Sequence, residues 1–325
     1  MKRPVLKRLI SALLALGISG LVLWWLLQDG AGQALVQAVR NANLWYLALA
    51  AVLAVVIQVI RAWRFAILTN GRSSPPSSTM IGIATRLILL NFVLPFKLGE
   101  LGFPLMMKRA YNTPLAQSAG ILILCRSMDF GVVAAILLFS AAFLLAPKIT
   151  GWSNEILAFA GLVIFILPVL VIDWLPWFRK LTTRWPRIDH LAEQLSFGAL
   201  MIRPPARRLF VFALTCSIWL THAVIAYVTA SSIQAEIAFL PLAMASAASN
   251  IAFALPVSGV AGLGPPQAAW ASMLALNDID WTPAITTALL CHGLLLVTIS
   301  TWGALSFLRL AIKPKKQAVI EAGRP

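Results

Sequence analysis

The sequence predicts an all-α integral membrane protein with about six full spans and two broken re-entrant hairpins, arranged as an inverted repeat. Of the 325 residues, 60% are hydrophobic and 11% are charged, whereas soluble domains are about 45–50% apolar and about 25% charged. One soluble core of this length cannot hide so much apolar surface. The composition therefore excludes a disordered chain and a secreted disulfide scaffold.

Apolar runs long enough to cross a bilayer, about 20 residues each, account for the six spans. We assign them to Leu9–Leu27, Trp45–Leu68, Ala116–Leu145, Ile156–Trp174, Leu209–Ser231 and Ala284–Leu310. The first run follows a basic N-terminal stretch, as in a signal peptide, but it exceeds the usual apolar core of about 7–15 residues. We therefore expect it to be retained as a span.

Two further hydrophobic stretches, Met80–Tyr111 and Pro241–Leu276, are interrupted by proline and glycine. The interrupting residues are Pro95, Gly99, Pro256, Gly262 and Gly264. Proline removes a backbone donor and glycine loosens a helix, so neither stretch is one regular helix. Broken backbone at membrane depth needs protein or a wet cavity around it. We predict two hairpins of half-helices, with Asn91 and Asn250 shortly before the two breaks.

Lysine and arginine set the orientation, because they concentrate in short cytoplasmic loops. Both termini and a basic loop at 175–208 are then inside, and the net charge of +15 faces anionic lipid rather than nucleic acid. Residues 1–146 and 147–325 run through the same order of elements with opposite orientation. Such inverted repeats are typical of transporters. The alternative is that two broken hairpins arose independently for packing.

The basic loop contains a helical pattern of apolar residues between Ile188 and Ala199. This pattern is typical of an interfacial helix that lies on the inner leaflet. A helix that packs against the bundle is the alternative.

Charged residues inside the predicted spans and hairpins form the main candidate site, since such charges cost about 2.5–3.5 kcal/mol each on insertion scales. They are Arg86, Lys97, Glu100, Arg126 and Asp129, with Arg61 and Arg64 nearer the inner boundary. Glu100 is expected at the start of the second half-helix, where the helix dipole favours a carboxylate. Arg126 either neutralises Asp129 on the same helix face or pairs with Glu100 and leaves Asp129 to another base.

The charge cluster favours a polar cavity that receives a charged headgroup, because arginine binds phosphate bidentately. The alternative is an ion-pair cluster that only locks the hairpin. The second hairpin offers only neutral polar groups, namely Ser246, Ser249, Asn250, Ser258 and Gln267. For His222 and His292, in the fifth and sixth spans, we favour a packing role over proton relay. The cavity is therefore expected to be charged on one side and neutral on the other.

No motif for catalysis or for a cofactor occurs in the sequence: HExxH, GxSxG and P-loop patterns are all missing. Cys125, Cys216 and Cys291 have no metal-binding spacing and are typical of small buried side chains. We therefore expect no enzyme activity and no cofactor.

An ordered set of motifs resembles the lysylphosphatidylglycerol synthase transmembrane region family, also called the flippase-like domain. The motifs are Arg61-Ala62-Trp63-Arg64-Phe65, Asn91 to Glu100 around Leu94-Pro95, Arg126 with Asp129, and Leu255-Pro256 with Gly262-Leu263-Gly264. The resemblance implies a domain that translocates lipids such as aminoacylated phospholipids, hopanoids or glycolipids. The chain ends soon after its last predicted span, so the soluble aminoacyl-transfer domain of the lysyl-lipid enzymes is expected to be absent.

Two positions depart from the pattern that the resemblance implies. Phe103 stands where the family usually has a basic residue, and Gln267 stands where it usually has an acidic one. Both departures remove charge from the supposed headgroup path, so they favour a less charged headgroup.

The expected function is a flippase that moves a phospholipid, hopanoid or lipid-linked glycan between leaflets of the bacterial inner membrane. Its expected partners are anionic or glycosylated membrane lipids, and also a lipid-biosynthesis enzyme. The predicted substrate-binding residues are Asn91, Pro95, Gly99, Glu100, Arg126, Asp129, Asn250, Pro256, Gly262 and Gly264. The alternatives are a secondary transporter of a small solute and a non-catalytic partner of a lipid-modifying enzyme.

Overall fold

A computed structural model describes residue 24 and residues 30–71, 75–145, 153–182, 186–254 and 260–312. All regular structure in these residues is helical. The predicted span Leu9–Leu27, apart from Trp24, and the predicted site residue Pro256 lie outside the described residues, as does Ser258. The inverted repeat and the total number of spans therefore stay predictions.

Eleven α-helices follow one another through the described residues. They are α1 (Ala31–Asn41), α2 (Leu44–Asn70), α3 (Ser78–Val93), α4 (Gly102–Tyr111), α5 (Leu115–Leu144), α6 (Ser153–Thr182), α7 (Pro186–Met201), α8 (Pro205–Ser232), α9 (Phe239–Ala254), α10 (Pro265–Ala275) and α11 (Trp281–Ile312). A 3₁₀ turn at Pro95–Leu101, the first turn, joins α3 to α4, and another at Val260–Gly262, the second turn, precedes α10.

Four helices within the described residues have the length and apolarity to cross a bilayer. They are Leu44–Asn70, Leu115–Leu144, Pro205–Ser232 and Trp281–Ser306. These helices coincide with four of the predicted spans, and the predicted span Ile156–Trp174 lies within α6. Large apolar side chains such as Trp45 and Phe143 are exposed on them, as expected of a surface that faces lipid.

Both predicted hairpins are broken helices in the structure. Helix α3 ends at Val93, and after the first turn the chain resumes as α4. In the second hairpin α9 ends at Ala254 and α10 begins at Pro265. Proline at the first position of a helix is favoured, because the missing N–H is one that the helix leaves unpaired anyway.

Two clusters of buried apolar side chains hold the helices together. One gathers side chains of α2, α8, α9, α10 and α11, including Ile57 and Trp270. The other gathers side chains of α2 to α5, α7 and α8, including Phe65 and Met128. Helices α2 and α8 contribute to both clusters.

Helix α7 is the helix that the sequence predicted within the basic segment 175–208. Helix α6 continues to Thr182, beyond the end of its predicted span, and α7 packs closely against α5. A Cβ atom added at Gly120 would collide with the backbone of Leu195, and one at Gly198 would lie 3.0 Å from the side chain of Ile121. Packing on the bundle, the alternative considered for this helix, therefore describes α7.

Helix α1 lies in the segment between the first two predicted spans. It begins after Gly30, whose φ of 82° lies in the left-handed region that glycine adopts readily. Ala31 is buried in the cluster that α2 and α11 share. This segment is therefore a short helix that packs on the bundle.

Candidate functional site

A cavity of about 410 Å³ lies between the two hairpins and the long helices, within the usual range of about 300–1,000 Å³ for ligand sites. Residues of α2, α3, the first turn, α5, α8, α9, α10 and α11 line it. The charged and amide side chains on its wall are Gln58, Arg61, Asn91, Lys97, Glu100, Arg126, Asp129, Asn250 and Gln267. Apolar side chains such as Ile57, Phe92 and Trp270 line much of the remainder.

Asp129 on α5 joins three helices at the cavity wall. Its Oδ1 accepts hydrogen bonds from Nη1 of Arg64 on α2 at 2.6 Å and from Nε1 of Trp219 on α8 at 3.1 Å. Its Oδ2 accepts from Nη2 of Arg64 at 3.0 Å, which makes the ion pair bidentate. Arg64 also donates to Oγ1 of Thr215 at 3.0 Å. The buried carboxylate is thus neutralised and hydrogen-bonded, as a charge away from water requires.

Arg126 pairs with Glu100, which is the second of the two arrangements that the sequence allowed. Its Nε donates to Oε1 of Glu100 at 2.7 Å, whereas its Nη1 lies 3.5 Å from Oδ2 of Asp129, a long contact for a hydrogen bond. Glu100 lies in the first turn, and α4 begins only at Gly102, so the expected place at the start of the half-helix is corrected. About a third of each side chain stays exposed, 33% for Arg126 and 30% for Glu100.

Arg61 is buried on the cavity wall, one turn of α2 before Arg64. Its residue is 5% exposed. Its Nη1 donates to Oε1 of Gln58 at 3.0 Å, and its Nε is buried without an acceptor among the described residues. No acidic side chain in the described part of the chain forms an ion pair with it. Arg61 is therefore a buried cation whose hydrogen-bonding capacity is largely unused.

Lys97 and Phe253 bring the two hairpins together. The Nζ atom of Lys97, in the first turn, lies 3.4 Å from the centre of the Phe253 ring on α9, a cation–π geometry. Phe92 on α3 packs against the same ring, with 5.3 Å between ring centres. These contacts join the first hairpin to the second at the cavity wall.

Gly99 allows the first turn to lie directly on the end of α3. A Cβ atom at Gly99 would lie 2.5 Å from the backbone nitrogen of Asn91 and 2.5 Å from its Oδ1. The Oδ1 atom of Asn91 is buried without a hydrogen-bond donor among the described residues. Both of these predicted site residues therefore belong to one close backbone contact at the cavity wall.

Glycine is equally constrained in the second turn. Gly262 has a φ of 71°, and a Cβ atom there would collide with the ring of Phe253. The carbonyl oxygen of Ala261 contacts Nε2 of His292 on α11 at 2.9 Å. This contact gives His292 a place in holding the second turn, in agreement with the packing role favoured for it.

Gln267 caps the start of α10. Its Oε1 accepts a hydrogen bond from the backbone nitrogen of Gly264 at 2.7 Å, and its side chain is buried. Gly264 has a φ of 111°, a conformation open mainly to glycine. The side chain of Asn250 makes its hydrogen bond within α9. Its Nδ2 donates to the backbone carbonyl oxygen of Ser246 at 2.8 Å.

The lining of the cavity is exposed on the surface of α5 at Phe130 and Arg126, a place that we call the mouth. Phe130 lines the cavity and is 57% exposed. Arg126, one helical turn earlier, also lines the cavity and is partly exposed. The polar interior therefore continues to the apolar exterior of the bundle at this point.

The structure brings five of the ten predicted site residues together at the cavity wall and adds others that sequence reasoning missed. Asn91, Glu100, Arg126, Asp129 and Asn250 line the cavity. From the sequence, Arg61 and Arg64 were expected near the inner boundary, and no pattern singled out Thr215 or Trp219. The available signal was the pair of arginines three residues apart in one span, which puts both on one helix face.

Two residues that the sequence singled out, Arg86 and Phe103, do not line the cavity. Arg86 hydrogen-bonds Ser306 of α11, through Nε to Oγ at 3.0 Å and through Nη2 to the backbone oxygen at 3.1 Å. Phe103 is fully buried and packs on Phe65, with ring centres 4.6 Å apart. Phe103 is therefore part of the apolar core, which corrects its assignment to a headgroup path.

Comparison with known proteins gives one match. The sequence model of the family described as "Lysylphosphatidylglycerol synthase TM region" matches residues 12–303. No curated protein and no solved structure matches the chain.

Proposed function

Because the chain belongs to the lysylphosphatidylglycerol synthase TM region family, we propose that this multi-pass membrane protein moves a lipid between the leaflets of a bilayer. The family description is consistent with a lipid-related role in the membrane. The proposal places the protein in a bacterial inner membrane with both termini inside. It assigns no covalent step to the chain.

The observation that carries the proposal is the mouth of the cavity beside Phe130. A headgroup can enter the polar interior there while the acyl chains stay outside, because Phe130 faces the cavity and the apolar exterior. Arg126 and Glu100 are partly exposed at the same wall and offer charge to an entering headgroup.

The polar wall supplies what a headgroup loses when it leaves water. A charge inside a membrane costs about 2.5–3.5 kcal/mol on insertion scales, and fixed dipoles and charges in the cavity offset this cost. The first hairpin supplies Lys97 and Glu100, and the second supplies Asn250 and Gln267. Both hairpins therefore border the proposed path.

The mouth also distinguishes lipid movement from transport of a small soluble solute. A solute carrier needs a cavity that opens to water at each side in turn, and a lateral opening to lipid gives such a carrier no advantage. The exposed phenylalanine at the mouth therefore favours a substrate with an apolar tail.

The test is flipping of a labelled phospholipid in vesicles that contain the purified full chain. The label is a fluorophore on one acyl chain, and a membrane-impermeant reductant quenches it only in the outer leaflet. We expect complete quenching with the protein and partial quenching in protein-free vesicles. The double variant Arg126→Gln with Glu100→Gln should flip more slowly, whereas Lys108→Gln, at an exposed position outside the cavity wall, should not differ from the parent.

The proposal fails if vesicles with the folded parent protein quench no further than protein-free vesicles. Uptake of a soluble solute that is independent of lipid composition would instead support the solute-carrier alternative. Unchanged flipping in the double variant would remove the charged pair from the path.

A further inference from the structure

The charges around the cavity do not balance. Arg64 is neutralised by Asp129, and Arg126 is neutralised by Glu100. Arg61 and Lys97 line the same cavity, and neither forms an ion pair with a described acidic side chain. Among the described residues, the cavity wall therefore has two basic side chains without an acidic partner, and such groups stay charged away from water only at a cost unless an anion joins them.

Arg61 has both the burial and the free donors that an anion site requires. A guanidinium has five N–H donors, and the contact with Gln58 occupies one of them. The Nε atom is buried without an acceptor, although the side chain lies on the wall of a cavity. Arg64, three residues later, shows the contrasting case of an arginine saturated by a carboxylate and a hydroxyl.

Lys97, in the first turn, is the second basic residue of the cavity wall that forms no ion pair with a described acidic side chain. Its φ of 57° holds the backbone of the first turn in the left-handed region, which costs a residue with a Cβ atom energy. The contact with the Phe253 ring holds the ammonium group against the wall without neutralising it. Arg61 and Lys97 thus supply a planar fork and a point charge to one space.

From this balance we infer that the cavity binds a phosphate monoester group as its dianion, with Arg61 as the bidentate donor and Lys97 as the second cation. A monoester carries about −1.5 to −2 charge at pH 7, enough to pair with both basic side chains in their charged forms, which a nearby anion favours. A diester supplies a single negative charge, and a zwitterionic headgroup adds a cation that Arg61 and Lys97 repel. The inference rests on the proposed function, because it names the headgroup that this site takes.

The experiment measures binding rather than transport, so that the two proposals are tested separately. The full chain in detergent micelles is titrated with phosphatidic acid as a monoester, phosphatidylglycerol as a diester, and phosphatidylcholine as a zwitterion. Inorganic phosphate and glycerol 3-phosphate are added as soluble sources of the same group. Binding is read from the change in thermal unfolding temperature and from displacement of a fluorescent phosphatidic acid.

We expect phosphatidic acid to bind at least about tenfold more tightly than phosphatidylglycerol, the factor that 1.4 kcal/mol provides. Arg61→Gln and Lys97→Gln should each remove most of this preference. Arg61→Lys should recover only part of it, since lysine lacks the planar fork. Lys108→Gln, which removes an exposed cation outside the cavity wall, should keep the parent's preference.

Equal affinity for monoester and diester overturns the inference, and so does a retained preference in Arg61→Gln. If Arg61→Gln does not fold, a retained preference in Lys97→Gln overturns it instead. Displacement by soluble phosphates at the same concentration as phosphatidic acid would identify the phosphate group alone as the ligand, and weaker displacement would identify the lipid. A binding preference without any flipping would disprove the proposed function and leave the monoester site in place.

Discussion

At Asp129 the carboxylate accepts hydrogen bonds from α2 and α8 while its backbone belongs to α5. Arg64 on α2 is 1% exposed, so its charge depends on this one carboxylate. A charge left alone in such a place costs far more than the pair gains when both partners are present. The stability of the parent protein is therefore more sensitive to losing one partner than to losing both.

The first residue-scale prediction concerns this pair. Asp129→Leu should lower the free energy of unfolding by about 3–5 kcal/mol, because Arg64 is left buried and uncompensated. The double variant Arg64→Leu with Asp129→Leu should recover most of this loss. Thermal unfolding of the purified proteins in one detergent measures both effects, with Glu236→Leu, at an exposed acid, as the control. A single variant as stable as the parent would contradict the ion pair.

For Arg126, in contrast, we expect substitution to cost little stability, because its side chain is partly exposed at the cavity mouth. Arg126→Lys should cost no more than about 1 kcal/mol of stability, because exposed ion pairs contribute little. Flipping should nevertheless slow several-fold, since lysine cannot hold Glu100 and meet a headgroup through one planar fork. The flipping assay and thermal unfolding are run on the same preparation. A loss of stability with flipping unchanged would leave Arg126 only a structural role.

At the scale of elements, the two hairpin breaks depend on glycines that touch their neighbours. Gly99 lies against the backbone of Asn91, which cannot move aside as a flexible side chain can. Gly262 combines a left-handed φ with contact to the Phe253 ring. These positions, and not the broken helices alone, hold the turns at the cavity wall.

Gly99→Ala should therefore destabilise the protein by about 1–3 kcal/mol, the usual cost of overpacking. The matched control is Gly293→Ala in α11, where an added Cβ atom meets nothing within 4 Å. Alanine there should be neutral or stabilising by about 0.5–1 kcal/mol, because it favours a helix over glycine. Thermal unfolding compares the two variants, and equal unfolding temperatures would refute the close contact at the first turn.

At the scale of the molecule, the cavity is chemically divided between the two hairpins. The first hairpin contributes Lys97 and Glu100, whereas the second contributes neutral groups such as Ser249 and Asn250. This division agrees with the charged and neutral sides expected from the sequence. Which leaflet each side of the cavity faces depends on the orientation of the helices in the membrane. The distribution of lysine and arginine between the loops predicts that orientation.

Topology gives the last prediction. With the three native cysteines replaced, Arg203→Cys should resist an impermeant thiol reagent added outside intact cells, and Asp280→Cys should react. Both positions are exposed on the bundle, so burial in the protein does not protect either one. Permeabilised cells provide the control in which both should react. Labelling of Arg203→Cys alone in intact cells would reverse the orientation and remove the basis of the inverted repeat.

The class of protein, the positions of the long helices and the two breaks could be predicted from the amino-acid sequence alone. These features follow from composition and from residues near one another in the chain: about 20 apolar residues make a span, and proline and glycine interrupt a helix. The same local reasoning placed Glu100, Arg126 and Asp129 as charges that need partners. It also reduced the pairing of Arg126 to two arrangements.

The pairing of charged side chains from different helices could not be predicted in this way. Arg64 and Asp129 are 65 residues apart in sequence, and Trp219 is 90 residues from Asp129. Such pairs depend on which helix faces lie together, and helical periodicity specifies a face without naming its neighbour. The structure thus assigned Arg64 to Asp129 and left Arg61 without an acidic partner among the described residues. Whether a buried charge is neutralised depends on all the charges that surround it in three dimensions. The order of residues in the chain does not specify those neighbours.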